Sequence, residues 1–71
     1  MEIIELRERK VLKVKLDGRK KIGEVLKEIG ILPSLYVILR NGKIITEEDV
    51  VEEEDKIELF PVTKFRLRYF L

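Results

Sequence analysis

A single stretch of the sequence has the periodicity of an amphipathic helix. That the sequence shows only one such stretch constrains the fold more than any other feature. Four apolar residues recur at positions i, i+3, i+4 and i+7: Ile22, Val25, Leu26 and Ile29. They predict a helix over residues 21–29, which Gly30 and Pro33 terminate in the usual way. A single helix can cover only one face of a sheet, so this spacing predicts a two-layer domain.

Two strand-like segments precede the helix. In residues 2–7, the alternation predicts that Ile4 and Leu6 face the core. Residues 11–16 alternate more clearly and place three apolar side chains on one face: Leu12, Val14 and Leu16. The pair Asp17-Gly18 then ends the segment with a turn. Together these segments predict an N-terminal hairpin.

A second hairpin follows the helix. Residues 35–40 are dense in strand-forming side chains, and Asn41-Gly42 follows them directly. Asn-Gly is the strongest short hairpin signal, because both residues tolerate positive φ. We expect Val37 and Leu39 to face the helix. Three neighbours should then point away from it: Tyr36, Ile38 and Arg40.

The segment after this hairpin predicts a short turn and a last strand. Residues 46–49 match a capping box and predict one helical or 3₁₀ turn. Residues 56–62 predict a strand with Ile57 and Leu59 inward and with Phe60 on the other side or near the edge. The complete order predicts an α+β fold, with a mixed four- to five-stranded sheet packed on one main helix.

Composition excludes several classes of function. The chain has 71 residues with no Cys and no His, which excludes disulfides, thiolate zinc sites and imidazole catalysis. Lys and Arg total 15 against 14 Asp and Glu, a balance unlike that of nucleic-acid binders. No apolar run is long enough to span a membrane, and a charged segment follows Met1 at once. We therefore expect a cytoplasmic, non-enzymatic module without a cofactor or metal site.

The balance of charged and amide residues indicates the origin of the chain. Charged residues make up 41% of it, whereas Gln is absent and Asn41 is the one asparagine. Such compositions are typical of thermophilic proteins, because ion desolvation costs less at high temperature and amides hydrolyse. We expect a thermophilic source.

Three segments together resemble a known family. They read IGEVLKEIGI at 22–31, VILRNGKII at 37–45 and DKIELFPV at 55–62. In this order and spacing, the chain resembles ubiquitin-like β-grasp proteins, and more narrowly the ThiS/MoaD sulfur carriers. The resemblance covers about residues 10–62. It implies a β-grasp domain at 1–63, followed by a basic and aromatic C-terminal extension at 64–71.

The family's function depends on a feature that this sequence does not show. The resemblance implies a C-terminal Gly-Gly carboxylate, which becomes an acyl-adenylate and then a thiocarboxylate. The four glycines here are Gly18, Gly23, Gly30 and Gly42, so none lies beyond the second hairpin. Our leading interpretation is therefore a non-enzymatic ubiquitin-like interaction module. The alternative is a sulfur carrier for thiamine, molybdopterin or tRNA thiolation whose true C-terminus differs, and a weaker alternative is a homodimer built by tail exchange.

The expected partner is a protein, such as an adenylating or sulfurtransferase enzyme. The resemblance implies docking through the sheet face that the helix leaves open. We predict five partner-binding residues: Ile38, Arg40 and Phe60 on the sheet, with Tyr69 and Phe70 from the extension. The acidic run at 47–55 and the basic residues at 7–21 predict solvated surface rather than a calcium loop or a nucleic-acid platform.

Overall fold

The computed structural model describes residues 1–62. These residues form β1 (Glu2–Glu5), β2 (Lys10–Lys13), β3 (Lys20–Lys21), helix α1 (Ile22–Glu28), a 3₁₀ turn (Pro33–Leu35), β4 (Tyr36–Arg40), β5 (Lys43–Ile45), β6 (Val50–Val51) and β7 (Lys56–Pro61). Five strands form a sheet in the order β2-β1-β7-β4-β5, and β3 pairs with β6 in a second, two-stranded sheet.

The large sheet is mixed, as predicted. Strands β1 and β2 pair antiparallel, and so do β4 with β5 and β4 with β7, whereas β1 and β7 run parallel. The parallel pair places the last strand in the centre of the sheet, beside the first. Helix α1 lies on one face of this sheet, which confirms the predicted α+β architecture.

The core lies between helix α1 and the sheet face that it covers, here called the inner face. Among residues 1–62, nine hydrophobic residues are buried in it: Met1, Ile3, Ile22, Val25, Leu26, Ile38, Val51, Ile57 and Leu59. Three of the four helical stripe residues belong to this set, and the fourth, Ile29, stays partly exposed just beyond the helix. The prediction of the inward side of β7 is confirmed, since Ile57 and Leu59 are fully buried.

The predicted faces of β1 and β4 are wrong. In β1, Ile3 is fully buried and Ile4 lies on the opposite face, while Leu6 follows the strand in a turn. In β4, Ile38 is only 4% exposed, because it pairs with Leu59 and Ile45 on the inner face. Both strands carry consecutive apolar residues, so alternation alone does not determine which residues point inward.

The turn between β1 and β2 has no glycine and depends on a buried carboxylate. The side chain of Glu5 is 6% exposed, and it accepts hydrogen bonds from the backbone N–H groups of Arg7 and Glu8. Arg9 completes the turn with a φ of 57°, in the left-handed region. The carboxylate thus satisfies backbone donors that the tight turn leaves without strand partners.

The N-terminus of helix α1 is capped by backbone rather than by a side chain. The N–H groups of Ile22 and Gly23 donate to the carbonyl oxygens of Asp49 and Glu47, both at 2.9 Å. This approach requires a glycine, because a Cβ at Gly23 would lie 2.9 Å from the Glu47 carbonyl oxygen. Gly23 therefore permits close packing of the 46–49 turn on the helix.

The 46–49 segment is a turn rather than the predicted helical or 3₁₀ turn. One hydrogen bond of a capping box is nevertheless formed, since the carboxylate of Asp49 accepts from the Thr46 N–H at 2.8 Å. The Thr46 hydroxyl accepts from the Glu48 N–H at 3.3 Å rather than from the N–H of Asp49. The chain leaves the turn into β6 instead of continuing a helix, because Ile22 and Gly23 take the carbonyls of Asp49 and Glu47.

The hairpin at Asn41-Gly42 has the predicted geometry. Both residues have positive φ, 50° and 87°. The side chain of Asn41 also anchors the hairpin to β7, because its Oδ1 accepts from the Lys56 N–H at 2.9 Å and its Nδ2 donates to Asp55 at 3.1 Å. Asn41 therefore serves both the turn and the attachment of that turn to the central strand.

The amino group of Met1 is part of the folded structure. It donates to the Val14 carbonyl at 2.6 Å and pairs with Glu53 at 2.9 Å. Glu53 also accepts a hydrogen bond from the Leu16 N–H at 2.7 Å. This backbone hydrogen bond, followed by the one from the ammonium group, lowers the pKa of the Glu53 carboxyl below its ordinary value.

Candidate protein-docking surface

The sheet face that helix α1 does not cover, here called the outer face, is mainly apolar. Residues paired across neighbouring strands project to the same side of a sheet, so the register identifies its members. Ile4 pairs with Val11 and Glu58, Leu39 pairs with Glu58 and Ile44, and Val37 pairs with Phe60. Among residues 1–62, the middle of the outer face therefore comprises seven side chains: Ile4, Val11, Val37, Leu39, Ile44, Glu58 and Phe60.

Exposure on the outer face is greatest at its two margins. Ile44 on the edge strand β5 is 74% exposed, and Val11 on the opposite edge strand β2 is 57% exposed. The apolar residues between them are half-buried by their neighbours within the sheet. The patch thus runs across all five strands of the sheet, and contiguous apolar surface of this kind marks interaction sites in small proteins.

Glu58 is the one acidic residue among those seven side chains. Its register partners on both sides are apolar, Ile4 on β1 and Leu39 on β4. Within residues 1–62, the Glu58 carboxylate makes no hydrogen bond or ion pair with a side chain. Along β7, its neighbours on the same face are Lys56 and Phe60, so the half-buried carboxylate has apolar groups across the sheet and one cation along its own strand.

One end of the outer face carries mixed charge. Glu2 pairs in register with Lys13 on β2 and with Lys56 on β7. These residues lie at the start of β7, at the opposite end from Phe60 and Val62. The apolar part of the face is therefore bounded on one side by charged residues, as expected for a docking surface with a polar rim.

The predicted sheet residues divide between the two faces. Phe60 lies on the outer face, opposite Val37, as predicted. Ile38 is buried on the inner face, so its predicted outward orientation is wrong. Arg40 also lies on the inner side, in register with Ile57, and its guanidinium donates to the Val50 carbonyl at 2.7 Å. That hydrogen bond holds the Arg40 side chain across the end of the domain rather than on the outer face.

The other two predicted residues, Tyr69 and Phe70, lie outside the described residues. Sequence reasoning missed Leu39 and Ile44 on the outer face. The hairpin itself contained a signal, because a two-residue Asn41-Gly42 turn pairs Arg40 with Lys43 and therefore Leu39 with Ile44. That register places the two missed residues on one face together.

The charged runs lie on the surface and form ion pairs. Arg19 contacts Glu52, Lys20 contacts Glu28 and Lys21 contacts Glu48, at 2.9–3.2 Å. Hydrogen bonds to their glutamate partners raise the pKa of Lys20 and of Lys21. Exposed pairs of this kind contribute little to stability.

Two further observations concern only the described residues. Residues 1–62 contain no group of three or more acidic side chains arranged to hold a metal ion. Over the same residues, no helix has the length and apolar character needed to cross a bilayer.

Comparison with known proteins agrees with this geometry. The model of the ThiS family matches residues 3–63. The sulfur carrier protein TtuB of Thermus thermophilus is 40% identical over 57 residues, which cover 80% of this chain and 85% of the relative. That relative comes from a thermophile, as the composition led us to expect. With a family match over nearly all of its described residues and a relative of this similarity, the chain belongs to the ThiS family of ubiquitin-like β-grasp proteins.

Proposed function

We propose that this chain is a sulfur carrier that docks through its outer face on an adenylating or sulfurtransferase enzyme. The observation that carries the proposal is the 40% identity to a protein named as a sulfur carrier, 85% of which is covered. The apolar outer face supports it, because a carrier must be recognised by its enzymes through its folded body. In this proposal the chain acts in the cytoplasm and supplies no catalytic group of its own.

The chemistry would occur at a C-terminal carboxylate held by the partner enzyme. The carboxylate attacks the α-phosphate of ATP, which releases pyrophosphate and forms an acyl-adenylate. A hydrosulfide ion, supplied through the enzyme, then attacks the acyl carbon, displaces AMP and leaves a thiocarboxylate. The folded body contributes by placing the C-terminal segment, because positioning converts a bimolecular encounter into a guided one.

The position of β7 explains how the body would do so. This strand lies in the centre of the sheet, between β1 and β4, and its Phe60 belongs to the outer face. The described chain ends two residues later at Val62. A partner bound to the outer face would therefore contact the residues from which the C-terminal segment starts. We retain the division into a β-grasp domain at 1–63 and an extension at 64–71 as part of this proposal.

The proposal requires a Gly-Gly end, and residues 63–71 of the printed sequence contain no glycine. The decisive experiment is the intact mass of the protein purified from its own organism. A Gly-Gly-ended chain, or one with a terminal oxygen replaced by sulfur, supports the carrier. An unmodified chain ending at Leu71 would overturn it.

That second result would favour another function, a β-grasp interaction module that binds its partner without ATP. The sequence of residues 64–71 favours this candidate, because a basic and aromatic end does not suit a narrow adenylation channel. The two functions differ in one further assay. A carrier incubated with its adenylating enzyme supports exchange of pyrophosphate into ATP, whereas an interaction module binds and supports none.

A homodimer built by exchange of residues 64–71 between two copies is a weaker alternative to the interaction module. Alternating apolar and basic residues in 64–71 could add a strand to a second copy. Sedimentation of the full chain and of a chain lacking residues 64–71 separates the cases. A dimer that becomes a monomer on truncation would support exchange, and unchanged sedimentation would exclude it.

A further inference from the structure

We propose that a cleft at one end of the inner face is a second docking site, which binds an arginine side chain of a protein partner. The cleft lies between the β1–β2 turn and the residues that follow helix α1. Because this cleft is distinct from the outer face, the proposal goes beyond the carrier function. Three properties of the cleft support it: its shape, its charge and one buried carboxylate.

The short length of helix α1 leaves the cleft open. The helix has seven residues, Ile22–Glu28, and therefore covers about 10 Å of the inner face. Beyond its end, a cleft of about 340 Å³ lies between residues 29–31 and the sheet. Four apolar side chains line this cleft, and all four remain partly exposed: Leu12, Ile29, Ile31 and Tyr36.

The charged groups of the cleft favour a cation. Glu5, Glu8 and Lys10 line it, so it contains two carboxylates and one ammonium group. The ammonium group of Lys10 pairs with Glu8 at 2.9 Å. This hydrogen bond is the main cause of the raised pKa of Lys10, and the charge of Glu5 contributes less. Among residues 1–62, the Glu5 carboxylate forms no ion pair of its own.

Glu5 has one carboxylate oxygen without a donor in this part of the chain. The residue is 6% exposed, and the backbone N–H groups of Arg7 and Glu8 both donate to its Oε1. Its Oε2 accepts no hydrogen bond from residues 1–62. Within these residues, no fully buried side-chain oxygen lacks a partner, which indicates that Oε2 opens into the cleft that Glu5 lines. A carboxylate oxygen beside apolar groups gains most from a charged donor.

An arginine fits this combination of groups better than a lysine. Its methylene stem suits apolar walls, and its planar guanidinium can stack on the Tyr36 ring while it donates to a carboxylate. The volume of the cleft is at the lower end for a ligand pocket and suits one long side chain.

The surroundings of the cleft favour an arginine carried by a protein over a free guanidinium compound. Leu32 and Leu35 adjoin the lining residues Ile31 and Tyr36 in the chain, and they are 61% and 49% exposed. This apolar margin can pack against the residues on either side of a partner's arginine. Water would thereby be excluded from the ion pair, as in the well-packed centres of protein interfaces.

The test uses a peptide as the probe, acetyl-Leu-Gly-Arg-Gly-Leu-amide, titrated into the full chain labelled with nitrogen-15. The matched control peptide has citrulline in place of arginine, with nearly the same shape and no charge. The backbone amide signals of Leu12, Gly30 and Tyr36 should shift on addition of the arginine peptide, and that of Ile44 on the outer face should not. The citrulline peptide should bind about tenfold more weakly, since a charged hydrogen bond is lost.

A matched pair of variants tests the role of Glu5. Glu5→Gln removes the charge but keeps an oxygen that can accept from the turn, and it should weaken the arginine peptide about tenfold. Glu2→Gln makes the same change on the outer side of the same strand and should leave binding unchanged. Should Glu5→Gln unfold the domain, Ile29→Lys places a competing cation at a partly exposed wall of the cleft. Ile44→Lys, on the outer face, is its control.

Three results would overturn the proposal. Equal affinities of the arginine and citrulline peptides would show that the cleft does not recognise the charge. Equal losses in Glu5→Gln and Glu2→Gln would show that Glu5 is not the partner of the guanidinium. Absence of shifts at the cleft up to millimolar peptide would show that it does not bind this side chain. None of these readouts requires a partner enzyme or a particular C-terminus, so their failure leaves the carrier proposal to its own test.

Discussion

The two faces of the large sheet are built from the same strands but differ in what covers them. Adjacent residues illustrate the contrast, because Ile3 is fully buried under helix α1 while Ile4 lies on the open side. Burial under the helix accounts for an apolar inner face, but not for an apolar outer face. The outer residues add exposed hydrophobic area without a covering element among residues 1–62, and the proposed docking of a partner on this face rests on that exposure.

The largest expected effect comes from removing the side chain of Ile3. Ile3→Ala should lower the free energy of unfolding by about 2–5 kcal/mol, because the residue is fully buried and leaves a cavity. The matched variant Ile4→Ala should cost markedly less, since its side chain faces the open side. Urea denaturation of both variants measures the difference. Equal losses would show that the outer face is covered as tightly as the inner face.

The next largest effect on stability is expected in helix α1, which covers the inner face. Gly23→Ala would normally stabilise a helix by about 1 kcal/mol. Here it should destabilise the protein by about 1–3 kcal/mol, because the new Cβ meets the Glu47 carbonyl oxygen at 2.9 Å. Thermal unfolding of Gly23→Ala beside Glu24→Ala, an exposed position on the same helix, provides the comparison. A stabilised Gly23→Ala variant would contradict the close packing described for the 46–49 turn.

A smaller effect is expected at low pH, at the edge of the core where Met1 is held. The pKa of Glu53 lies below its ordinary value of 4.5 in the folded protein, so its ionised form stabilises the fold. That stabilisation is present above the ordinary pKa and is lost as pH falls through the lowered pKa of the folded state. Glu53→Gln should therefore be less stable at neutral pH and should lose less stability on acidification.

The readout for Glu53 is the midpoint of urea unfolding measured from neutral pH downward. Glu54→Gln, in the same exposed turn, serves as the control because Glu54 makes no contact with the amino group of Met1. Parallel pH curves for the Glu53→Gln variant and the unmodified protein would contradict the stabilising pair.

The variant Ile44→Asp should have the smallest effect on stability and the largest effect on binding. Ile44→Asp changes a side chain that is 74% exposed, so the free energy of unfolding should stay within about 0.5 kcal/mol. If the outer face docks a partner enzyme, the same variant should lose that binding in calorimetry. Lys43→Asp is a matched control, because its neighbouring position projects to the inner side of β5. Equal loss of binding in both variants would point away from the outer face.

Features that depend on a unique local signal were predictable from the sequence. The helical stripe from Ile22 to Ile29 has no competing period, and Asn41-Gly42 allows few backbone conformations other than a tight hairpin. The order of elements followed from these two signals. The clean alternation of Leu12, Val14 and Leu16 also identified the side of the N-terminal hairpin that packs against the core.

The orientation of β1 and β4 was not predictable in the same way. Ile3 and Ile4 are chemically identical, and residues 36–39 are all apolar, so either register satisfies the alternation rule. Pairing with β7 decides the orientation of both strands, and that contact is distant in sequence. The predicted outward orientation of Ile38 and Arg40 was wrong for this reason, because apolar residues on both faces of a strand remove the contrast by which the faces are distinguished.

The anchoring of Asn41 has a consequence for the chemical lifetime of the protein. An asparagine followed by glycine is prone to deamidation, in which the next backbone nitrogen attacks the side-chain amide and forms a cyclic imide. Both polar atoms of the Asn41 side chain are held, by Lys56 and Asp55, and its own N–H donates to the Lys56 carbonyl at 2.8 Å. The native hairpin therefore protects the one asparagine of the chain from ageing, and a deamidated product would place a new carboxylate beside Asp55.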